Sequence, residues 1–526
     1  MKKADYNKKL FSLISILASI FVYTGAIAIY FYANGWRLGD TNQLFIKTGV
    51  LTVESDPFLA NVYVKGEDKG RTPKSVSLPI GEYKISVYKS GYHEWVKNVE
   101  IKEQKSTPVY PWLVKEDIKK EQNFLLQGKK YINSWIDQYD NHIYFLVNEY
   151  LAQNQIYRYS LYRFDTNTAF WDMGSNPRTV LTFDTISEPI VEIQLSPNGL
   201  LGVLTIVSPE VTKYYLLDST KSSTLNNLME LNLSVFSSYD MTWSRNNQYL
   251  MFDSESDLIS FDITKQTRYL LLKKVEGKEY IWSTDSDGFF YKLDINQEYQ
   301  LEDDIYSYIL IQQQMDGSAP KTLVTDLFFQ KNNDYILRYR EDTGDGKYSP
   351  FTNSPESTKS VGKIKTFFVN QNAKGIYIET DTSSYWYNVN NKRYYLISPY
   401  SADLVDFSHD NYKLIFKNEK GYGVFTLQKE DGDHTTVIGS EEIKDAEKDI
   451  STIKWLSNSL NIWYTKGKSM YIADKDGENS IKILENIDTN IYQGITSSRE
   501  KIITLSVGQE NEDGSKDISI NSYILH

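Results

Sequence analysis

One uninterrupted apolar stretch near the N-terminus constrains this chain more than any other feature. Leu10 to Tyr32 contains no charged residue, and as a helix rising about 1.5 Å per residue it would extend roughly 34 Å. A bilayer hydrocarbon core is about 30 Å thick. The stretch therefore predicts a transmembrane helix over residues 10–32, with residues 1–9 as a short stub on one side of the membrane.

The basic residues around this stretch predict its orientation. Lys2, Lys3, Lys8 and Lys9 precede it, whereas Arg37 is the basic residue that follows closely, and basic flanks are retained in the cytoplasm. We expect a single-pass protein of the cell membrane with a cytoplasmic N-terminus. The C-terminal ectodomain would then be extracellular, or periplasmic where an outer membrane exists.

A cleaved signal peptide is the alternative interpretation of the same stretch. Ala26-Ile27-Ala28 has the small-x-small form of a cleavage site, but the apolar run continues to Phe31, which favours an uncleaved signal anchor. Tyr30, Tyr32 and Trp36 stand where interfacial aromatic side chains are expected at the outer leaflet.

Composition limits the remaining possibilities. The chain has 526 residues, enough for two or three folded units beyond the helix, and a net charge of −12. Lysines scattered among acidic residues exclude a nucleic-acid partner. The absence of cysteine and five widely spaced histidines predict no disulfide, no metal site and no cofactor. Its 41 tyrosines favour strands, and we expect many of them to pack the ring and expose the hydroxyl.

A series of short motifs follows a predicted connector at residues 33–48. In order, the segments are Ser55-Asp56-Pro57, Ala60 to Gly66, Gly70-Arg71-Thr72-Pro73, Leu78 to Tyr83 and Lys89 to Trp95. Their order and spacing resemble the PEGA domain family, small exported β-sandwich modules often placed beside membrane anchors. Pro79-Ile80-Gly81-Glu82 stands where that family has its name-giving tetrapeptide, with the turn glycine retained. The resemblance implies a PEGA-like β-sandwich over residues 49–114.

The residues themselves support the same interpretation. Glu82 to Tyr88 alternates polar and apolar positions, so Tyr83, Ile85 and Val87 should point into a core. The segment Gly66 to Gly70 predicts a hairpin turn. Tyr92 and Trp95 are expected to pack at the core or its edge rather than to bind a ligand. Thr72-Pro73 starts a segment that cannot donate to a central strand ladder.

The rest of the chain, residues 115–526, repeats an apolar or aromatic residue, a turn of Ser, Asn, Asp or Gly, and a short apolar strand. The repeats begin at Leu195-Ser196-Pro197-Asn198-Gly199, Trp243-Ser244, Trp282-Ser283, Phe329 to Asn333, Val369-Asn370, Phe407-Ser408, Trp455-Leu456 and Thr496-Ser497, with an earlier unit at Trp135-Ile136-Asp137. Seven intervals from Ser196 to Ser497 average about 43 residues, close to the length of a four-stranded propeller blade.

This spacing predicts a β-propeller of seven or eight blades, with eight favoured. The turn motif resembles the Ser-Pro-Asp-Gly signature of TolB-like and dipeptidyl-peptidase-type propellers, most closely at Ser196 to Gly199. Ring closure predicts that Phe124-Leu125-Leu126 pairs with the C-terminal strand Ile518 to Leu525. The tryptophans of the repeats should pack between blades. The fold class is thus mainly β: a transmembrane helix, a β-sandwich and a propeller.

Motifs for chemistry are weak. No Gly-x-Ser-x-Gly elbow, Walker or dinucleotide pattern occurs. Ser283 to Gly288 resembles an Asp-box of sialidase propellers but occurs once, and Asp342 to Gly346 lacks the glutamate of an EF-hand. We assign no catalytic, cofactor-binding or metal residue. The residues set aside as turn, surface or solvated positions are His93, His142, His409, His434, His526, Asp303-Asp304 and Glu441-Glu442.

These observations predict a membrane-anchored cell-surface protein that is not an enzyme. Its propeller would bind a protein, peptide or glycan partner, and the PEGA-like module would act as a stalk or bind the envelope. Two alternatives remain. The propeller could be a glycan hydrolase or lyase with Asp, Tyr or His at its channel mouth, or the chain could serve envelope assembly or sensing.

Overall fold

The computed structural model describes most of the chain, in two compact units, one up to Asp117 and one from Ile118 onward. The described residues are 2–33, 35–38, 45–103, 105–137, 141–166, 177–233, 239–276, 280–285, 287–302, 305–331, 334–338, 340–341, 347–349, 358–370, 374–390, 393–427, 439–444, 449–487, 490–496, 501–510 and 515–525.

Helix α1 opens the first unit. It runs over Lys2–Ala33, and Ile14–Ala33 within it is long and apolar enough to cross a membrane, with a mean hydropathy of 2.0 and no part of it buried by the protein. An apolar helix with no protein covering it requires an apolar surrounding to satisfy its side chains. A membrane span and a signal sequence both fit this description.

Two four-stranded sheets make up the rest of the first unit. The strands are β1 (Trp36–Leu38), β2 (Phe45–Val53), β3 (Asn61–Val64), β4 (Glu67–Arg71), β5 (Lys74–Pro79), β6 (Gly81–Tyr88), β7 (Trp95–Ile101) and β8 (Ser106–Val109). In one sheet β2 pairs with β5 on one edge and with β1 and then β8 on the other; the second sheet has the order β4-β3-β6-β7. Strands β1 and the start of β2 lie within residues 33–48, the predicted connector.

The core of this sandwich follows the predicted alternation. Ile85 and Val87 are fully buried and Tyr83 packs against them from the edge. Trp95 is buried and Tyr92 is half-buried on the same core, which confirms that both serve packing. The tight turn between β3 and β4 lies at Lys65 and Gly66, both with positive φ, at the start of the predicted hairpin segment.

The second unit is a propeller whose described strands form eight blades. Blade 1 contains β9 (Lys120–Ile136), β10 (His142–Leu151), β11 (Ile156–Asp165) and β12 (Arg178–Thr185), and the short β16 (Ser223–Thr224) pairs with β12. Blade 2 contains β13 (Ile190–Leu195), β14 (Leu201–Val207), β15 (Thr212–Asp218) and β17 (Met229–Leu231), and blade 3 contains β18 (Asp240–Trp243), β19 (Tyr249–Asp253), β20 (Asp257–Asp262) and β21 (Thr267–Lys273). Blade 4 contains β22 (Trp282–Thr284), β23 (Phe289–Glu302), β24 (Ile305–Gln314) and β25 (Lys321–Lys331), followed by β26 (Asp334–Arg338) and β29 (Thr358–Gly362). A short 3-10 helix, Leu225–Asn227, precedes β17.

The remaining strands complete the ring. Blade 5 contains β30 (Ile364–Asn370), β31 (Gly375–Thr380), β32 (Ser384–Asn388) and β33 (Arg393–Ser398), together with β27 (Arg340–Glu341) and β28 (Lys347–Ser349). Blade 6 contains β34 (Asp403–Phe407), β35 (Lys413–Asn418), β36 (Gly421–Thr426) and β37 (Gly439–Glu442), and blade 7 contains β38 (Ile450–Trp455), β39 (Asn461–Lys466), β40 (Ser469–Asp474) and β41 (Ile481–Glu485). Blade 8 contains β42 (Asn490–Ile495), β43 (Lys501–Glu510) and β44 (Lys516–Ile524). Blade 4 gains β26 and β29, and blade 5 gains β27 and β28, as extra outer strands.

Strand β9 closes the ring as predicted. Its first part pairs with β44, with Phe124 opposite Ile520 and Leu126 opposite Ile518, and its last part pairs with β10 as the inner strand of blade 1. One strand thus belongs to two blades, which leaves blade 8 without an open outer edge.

Packing between blades explains the apolar runs in the middle strands. Within β10, Ile143 and Phe145 contact blade 8 whereas Tyr144 and Leu146 contact blade 2. A strand covered on both faces is apolar at every position rather than alternating. The same division recurs in β19, β31 and β35. The repeat tryptophans, such as the buried Trp455, belong to these clusters, which confirms their packing role.

Several tyrosines differ from the expectation of exposed hydroxyls. Tyr144, Tyr377 and Tyr394 are fully buried, and each hydroxyl donates to a backbone carbonyl, of Gly199, Ala402 and Leu327 respectively. Burial raises the pKa of the Tyr394 hydroxyl well above its usual value. The three carbonyls come from the turn between β13 and β14, the loop before β34 and strand β25, so each buried hydroxyl has a partner on a neighbouring blade or loop.

The repeat motif forms the turn between the first and second strand of a blade. Its fourth residue has a left-handed backbone and donates its N–H to the carbonyl of the first, over 2.8 Å from Gly199 to Ser196 and 3.0 Å from Asn247 to Ser244. Glycine and asparagine tolerate this conformation best, which accounts for the motif's composition. Phe329 to Asn333 is an exception, because Phe329 pairs with Ile336 in the outer hairpin of blade 4.

Candidate functional site

The propeller has two ends with different surfaces. We call the end that carries the repeat turns the turn face, and the opposite end, where each inner strand begins, the loop face. Consecutive inner strands contact each other around the axis, as where the Trp243 indole N–H donates to the carbonyl of Gln194 over 2.9 Å. This contact places first strands innermost, so loops between blades cross the loop face toward the axis.

The turn face is a ring of turns joined to one another. The backbone N–H of Asn198 donates to Asn247 Oδ1 of the next blade over 2.8 Å, and that of Asp410 donates to Ser459 Oγ over 3.0 Å. The same motif positions are used in both cases, the third residue of one turn and the fourth of the next. These polar groups are therefore occupied by the fold itself.

One ionic cluster on the turn face was missed from sequence. His142 Nδ1 lies 2.5 Å from Asp137 Oδ2 and its Nε2 lies 3.7 Å from Asp165 Oδ1, while Arg163 Nε donates to Asp165 over 2.6 Å. His142 was expected at the surface or in a turn. It follows the turn between β9 and β10, and its side chain is only 15% exposed. The strand register places Asp165 directly opposite His142, and only knowledge of that pairing would have revealed the cluster.

The cluster is coupled to the packing of blade 2. Arg163 Nη1 also donates to Ser219 Oγ over 2.8 Å, and the oxygens of the Ser219 and Tyr144 hydroxyls lie 2.7 Å apart. A side chain at Gly199 would place its Cβ 2.5 Å from Asp137 Oδ2. The ionic cluster thus holds blades 1 and 2 together, and its charged side chains are engaged in structural contacts.

The loop face of blades 1 and 2 carries four exposed apolar residues, two of which are the most exposed large apolar residues of the described propeller. Ile186 is 86% exposed, Ile190 63%, Tyr150 55% and Val211 51%. We call these four residues the apolar patch. Exposed aliphatic side chains on one surface are typical of protein-binding sites, because a surface that meets only water usually carries polar side chains instead.

Strand register places the four residues at neighbouring strand ends. Tyr150 pairs with Tyr157, with ring centroids 5.0 Å apart, and Tyr157 pairs with Thr185, next to Ile186. The loop from Ile186 then crosses to Ile190 at the start of β13 in blade 2. Val211 lies in the neighbouring turn between β14 and β15. Val207, the last residue of β14 before this turn, pairs with both Ile190 of β13 and Thr212 of β15.

Ion pairs surround the apolar patch. Lys130 Nζ lies 3.0 Å from Glu188 Oε1, so the loop between blades is tied back to β9, and Arg158 makes a two-pronged contact with Asp184, each hydrogen bond 2.9 Å long. Arg158 holds the pKa of the Asp184 carboxyl below its usual value by hydrogen bonding. An apolar centre within a charged rim is the usual anatomy of a transient protein interface.

The sequence did contain a signal for this patch. Thr185 to Ile190 reads as a turn segment with serine, glutamate and proline, yet it holds two isoleucines. A large aliphatic residue inside a turn segment has no strand face to pack on. Whether it faces solvent or an adjoining blade depends on where the loop crosses the ring, which requires the tertiary structure.

A second polar cluster lies on the loop face at blade 5. Lys365 Nζ contacts Glu379 Oε1 at 3.3 Å and the Ser401 hydroxyl at 2.6 Å, and Ser401 donates to Glu379 over 3.1 Å. The Glu379 side chain is 7% exposed. Lysine and serine both contact this carboxylate, and these contacts position the loop before β34.

Five described carboxylates have a shifted pKa, and in each of them the pKa is lowered. They are Glu67, Asp184, Asp218, Asp316 and Glu485, and hydrogen bonding to Lys69, Ser318 and Lys482 is the main cause at Glu67, Asp316 and Glu485 respectively. Protonation at neutral pH requires a raised pKa, which burial or a like charge would provide. Among the residues the structure describes, no group of three or more His, Cys, Asp or Glu could hold a metal ion.

The other residues singled out from sequence are dispersed. Asp285 of the Asp-box-like segment accepts the Tyr291 hydroxyl over 2.6 Å and caps its own turn, so it serves the blade. Glu441 and Glu442 are exposed on the outer strand β37. His93 lies in the sandwich unit and burial lowers the pKa of His409 on the turn face. Asp303-Asp304, Asp342 to Gly346, His434 and His526 lie outside the described residues.

Comparison with known families identifies one domain. Residues 48–117 match the PEGA domain family, which agrees with the two-sheet sandwich and its motifs. The match covers the sandwich unit and leaves the propeller outside it. None of the curated proteins matches the chain by sequence.

Solved structures similar to this chain are propellers of low sequence identity. Hsv2 from Kluyveromyces lactis has a TM-score of 0.33 and 10% identity, covering 75% of this chain and 99% of that one. BamB from Moraxella catarrhalis has a TM-score of 0.33 and 8% identity, covering 76% and 97%. Prolyl oligopeptidase B from Galerina marginata has a TM-score of 0.35 and 10% identity, covering 75% and 55%. These structures include an enzyme and carry no inference about activity.

Proposed function

We propose that this chain is a membrane-anchored binding protein whose propeller engages a protein partner through the apolar patch on the loop face of blades 1 and 2. The PEGA domain and the propeller support a binding or scaffold role. In this proposal α1 is a signal anchor, its lysine-rich end is cytoplasmic, and both folded units lie outside the cell membrane.

The exposure of the patch carries the proposal. Ile186 is 86% exposed and Ile190 63%, and burying one such side chain in an interface contributes about 1.5 to 3 kcal/mol. The exposed patch residues are aliphatic except for Tyr150, which suits apolar side chains of a protein or peptide better than the flat faces of sugar rings. The ion pairs at Glu188 and Asp184 would set the orientation of the partner at the rim.

The same observations support binding rather than catalysis. The ionic groups at His142 and Glu379 are committed to contacts that hold the blades, and the shifted carboxylates are lowered rather than raised. A catalytic funnel would need groups poised to exchange protons with a substrate.

A crosslinking experiment tests the proposed interface. A photoreactive amino acid is placed at position 186 of the full chain in the producing cell, and at position 270 as a control, because Leu270 is also an exposed aliphatic residue, 57% exposed, but lies on the outer strand β21 of blade 3. We expect one discrete adduct from position 186 and none from position 270. Equal adducts at both positions, or none at 186, would refute the interface.

Paired substitutions complete the test. The double variant Ile186→Asp, Ile190→Asp should no longer bind the crosslinked partner, because the interface would bury the new carboxylates without a compensating partner. Leu270→Asp should still bind it, because its carboxylate stays in water. Circular dichroism and thermal unfolding of the three chains check that the fold is unchanged. Retention of the partner by the double variant would contradict the proposal.

A further inference from the structure

The helix and the sandwich are joined almost without a linker. Helix α1 ends at Ala33 and β1 begins at Trp36. Three residue steps span at most about 11 Å even when fully extended. Strand β1 then pairs with β2, with Trp36 opposite Lys47, and β2 belongs to the core sheet of the sandwich. The edge of the sandwich that contains β1 therefore lies next to the end of the apolar helix.

Hydrogen bonds fix this junction. The backbone N–H and the hydroxyl of Thr48 both donate to the carbonyl of Gly35, over 2.9 and 2.8 Å. Arg37 Nη1 donates to the carbonyl of Tyr32 over 2.7 Å, in the last turn of the helix. Terminal helix carbonyls lack partners within the helix, so the arginine of β1 caps α1 and holds strand and helix in one arrangement.

Aromatic and cationic side chains from both elements gather at the junction. Phe31 of α1 stacks on Phe45 at the start of β2, with centroids 6.0 Å apart. Arg37 lies over the ring of Tyr32 at 3.7 Å, and Lys47 lies 5.4 Å from the centre of the Trp36 ring. Aromatic rings beside basic groups are the composition found at the boundary between hydrocarbon and water.

Two exposed apolar side chains lie at the strand ends beside this junction. Phe45 is 54% exposed, and Ile80, whose N–H donates to the carbonyl of Lys47 over 3.3 Å, is 47% exposed. Phe45 contacts a residue of the helix itself, so wherever the end of α1 lies in a bilayer, Phe45 lies beside it. The headgroup layer of one leaflet is roughly 5 to 8 Å deep, comparable to the reach of the short junction.

We propose that this end of the sandwich is a membrane-binding surface, with Trp36, Phe45 and Ile80 inserted among the lipid headgroups of the leaflet where α1 ends, and with Arg37 and Lys47 facing lipid phosphates. We call these five residues the membrane foot. The inference rests on the proposed membrane span of α1. It makes the PEGA domain a unit seated on the bilayer rather than a stalk that swings freely.

A matched phenylalanine provides the control. Phe58 is 68% exposed and lies beyond the other end of β2, whose nine residues extend about 30 Å at roughly 3.3 Å each. If the sandwich exposed apolar residues for a reason unrelated to a membrane, labels at positions 45 and 58 should respond equally to lipid. Only contact with a bilayer at the end of α1 distinguishes them.

Depth-dependent quenching of a single label tests the membrane foot. Because the chain has no cysteine, the variants Phe45→Cys, Ile80→Cys, Phe58→Cys and Tyr23→Cys each carry one site for an environment-sensitive fluorophore. The full chain is reconstituted in phosphatidylcholine vesicles with phosphatidylglycerol as a minor component. The lipids carry no quencher, a quencher near the headgroup, or a quencher deep in the acyl chains. The headgroup quencher reports on positions 45, 58 and 80, and the acyl-chain quencher reports on position 23, which lies near the middle of the apolar span of α1.

We expect loss of most fluorescence at positions 45 and 80, and little change at position 58. Quenching at 23 but not at 45 or 80 would overturn the membrane foot while leaving the anchor intact. Absence of quenching at 23 would overturn the anchor, and the foot with it. Position 80 keeps the stack between Phe31 and Phe45 undisturbed, so the result does not depend on one substitution at the junction.

Discussion

Removal of one turn hydroxyl should loosen a propeller blade by an amount that the structure predicts. Ser244 is fully buried, and its Oγ accepts the backbone N–H of Tyr249 over 3.0 Å while lying 2.6 Å from Asn246 Oδ1. In Ser244→Ala the methyl group of alanine replaces the hydroxymethyl group with no new clash. The amide of Tyr249, the first residue of β19, loses this acceptor.

The magnitude follows from the cost of an unsatisfied buried donor. Leaving such a group without its acceptor costs about 1 to 3 kcal/mol, and each 1.4 kcal/mol is a factor of ten in an equilibrium. Opening of the amide should therefore become about 5- to 150-fold more favourable. Ser196→Ala should repeat the effect at Leu201, because Ser196 Oγ accepts that N–H over 3.1 Å in the same geometry.

Hydrogen exchange followed by mass spectrometry measures this directly. Peptides covering β14 and β19 are compared between the wild type, Ser244→Ala, Ser196→Ala and the control Ser222→Ala. Ser222 is exposed, and its hydroxyl donates to the carbonyl of Thr179 over 2.8 Å, so its loss should change stability by less than about 0.5 kcal/mol. Unchanged exchange at Tyr249 in Ser244→Ala would refute the assignment of the hydroxyl to this turn.

Three further outcomes are expected. Burial raises the pKa of Tyr377, so the neutral hydroxyl stabilises the fold below pH about 10 and the benefit is lost as pH rises beyond that; alkaline unfolding followed by tyrosinate absorbance should begin at higher pH in Tyr377→Phe, and an identical onset would contradict this. Gly199→Ala should destabilise more than Gly66→Ala in thermal unfolding, because both have positive φ but only Gly199 meets a close side chain, Asp137; equal shifts would argue against the contact. Burial lowers the pKa of His409, so its imidazole resonance should titrate below pH about 6.5, and stability from this residue should be lost only as pH falls through that lowered value; a midpoint above 6.5 would count against its burial.

Much of the architecture could be predicted because local sequence patterns repeat. The apolar stretch to Tyr32 contains no charged residue, and the turn at Ser196 to Gly199 combines a hydroxyl cap with a left-handed glycine that few other residues replace. Pairing of Phe124 with Ile520 also followed from the sequence, because closing a ring of sheets leaves only the first and last strands to meet.

Other predictions required distances between residues far apart in the chain. Phe329 has the appearance of a repeat, but it lies in an outer hairpin because blade 4 contains two additional strands. The hydroxyl of Tyr394 is buried rather than exposed, since the carbonyl of Leu327 from the adjoining blade lies beside it. No local pattern distinguishes a tyrosine that meets such a carbonyl from one that meets water.

The apolar helix, the strands of the sandwich and a ring of seven or eight blades follow from the sequence, because each depends on the period of apolar residues and on turn chemistry within a few tens of residues. Only the tertiary structure decided which exposed residues gather. Ile186 and Val211 come from different blades, and Phe45 meets Phe31 through the pairing of β1 with β2. Surfaces are formed by register and packing between elements, and a chain's local periodicity does not encode where two loops will lie side by side.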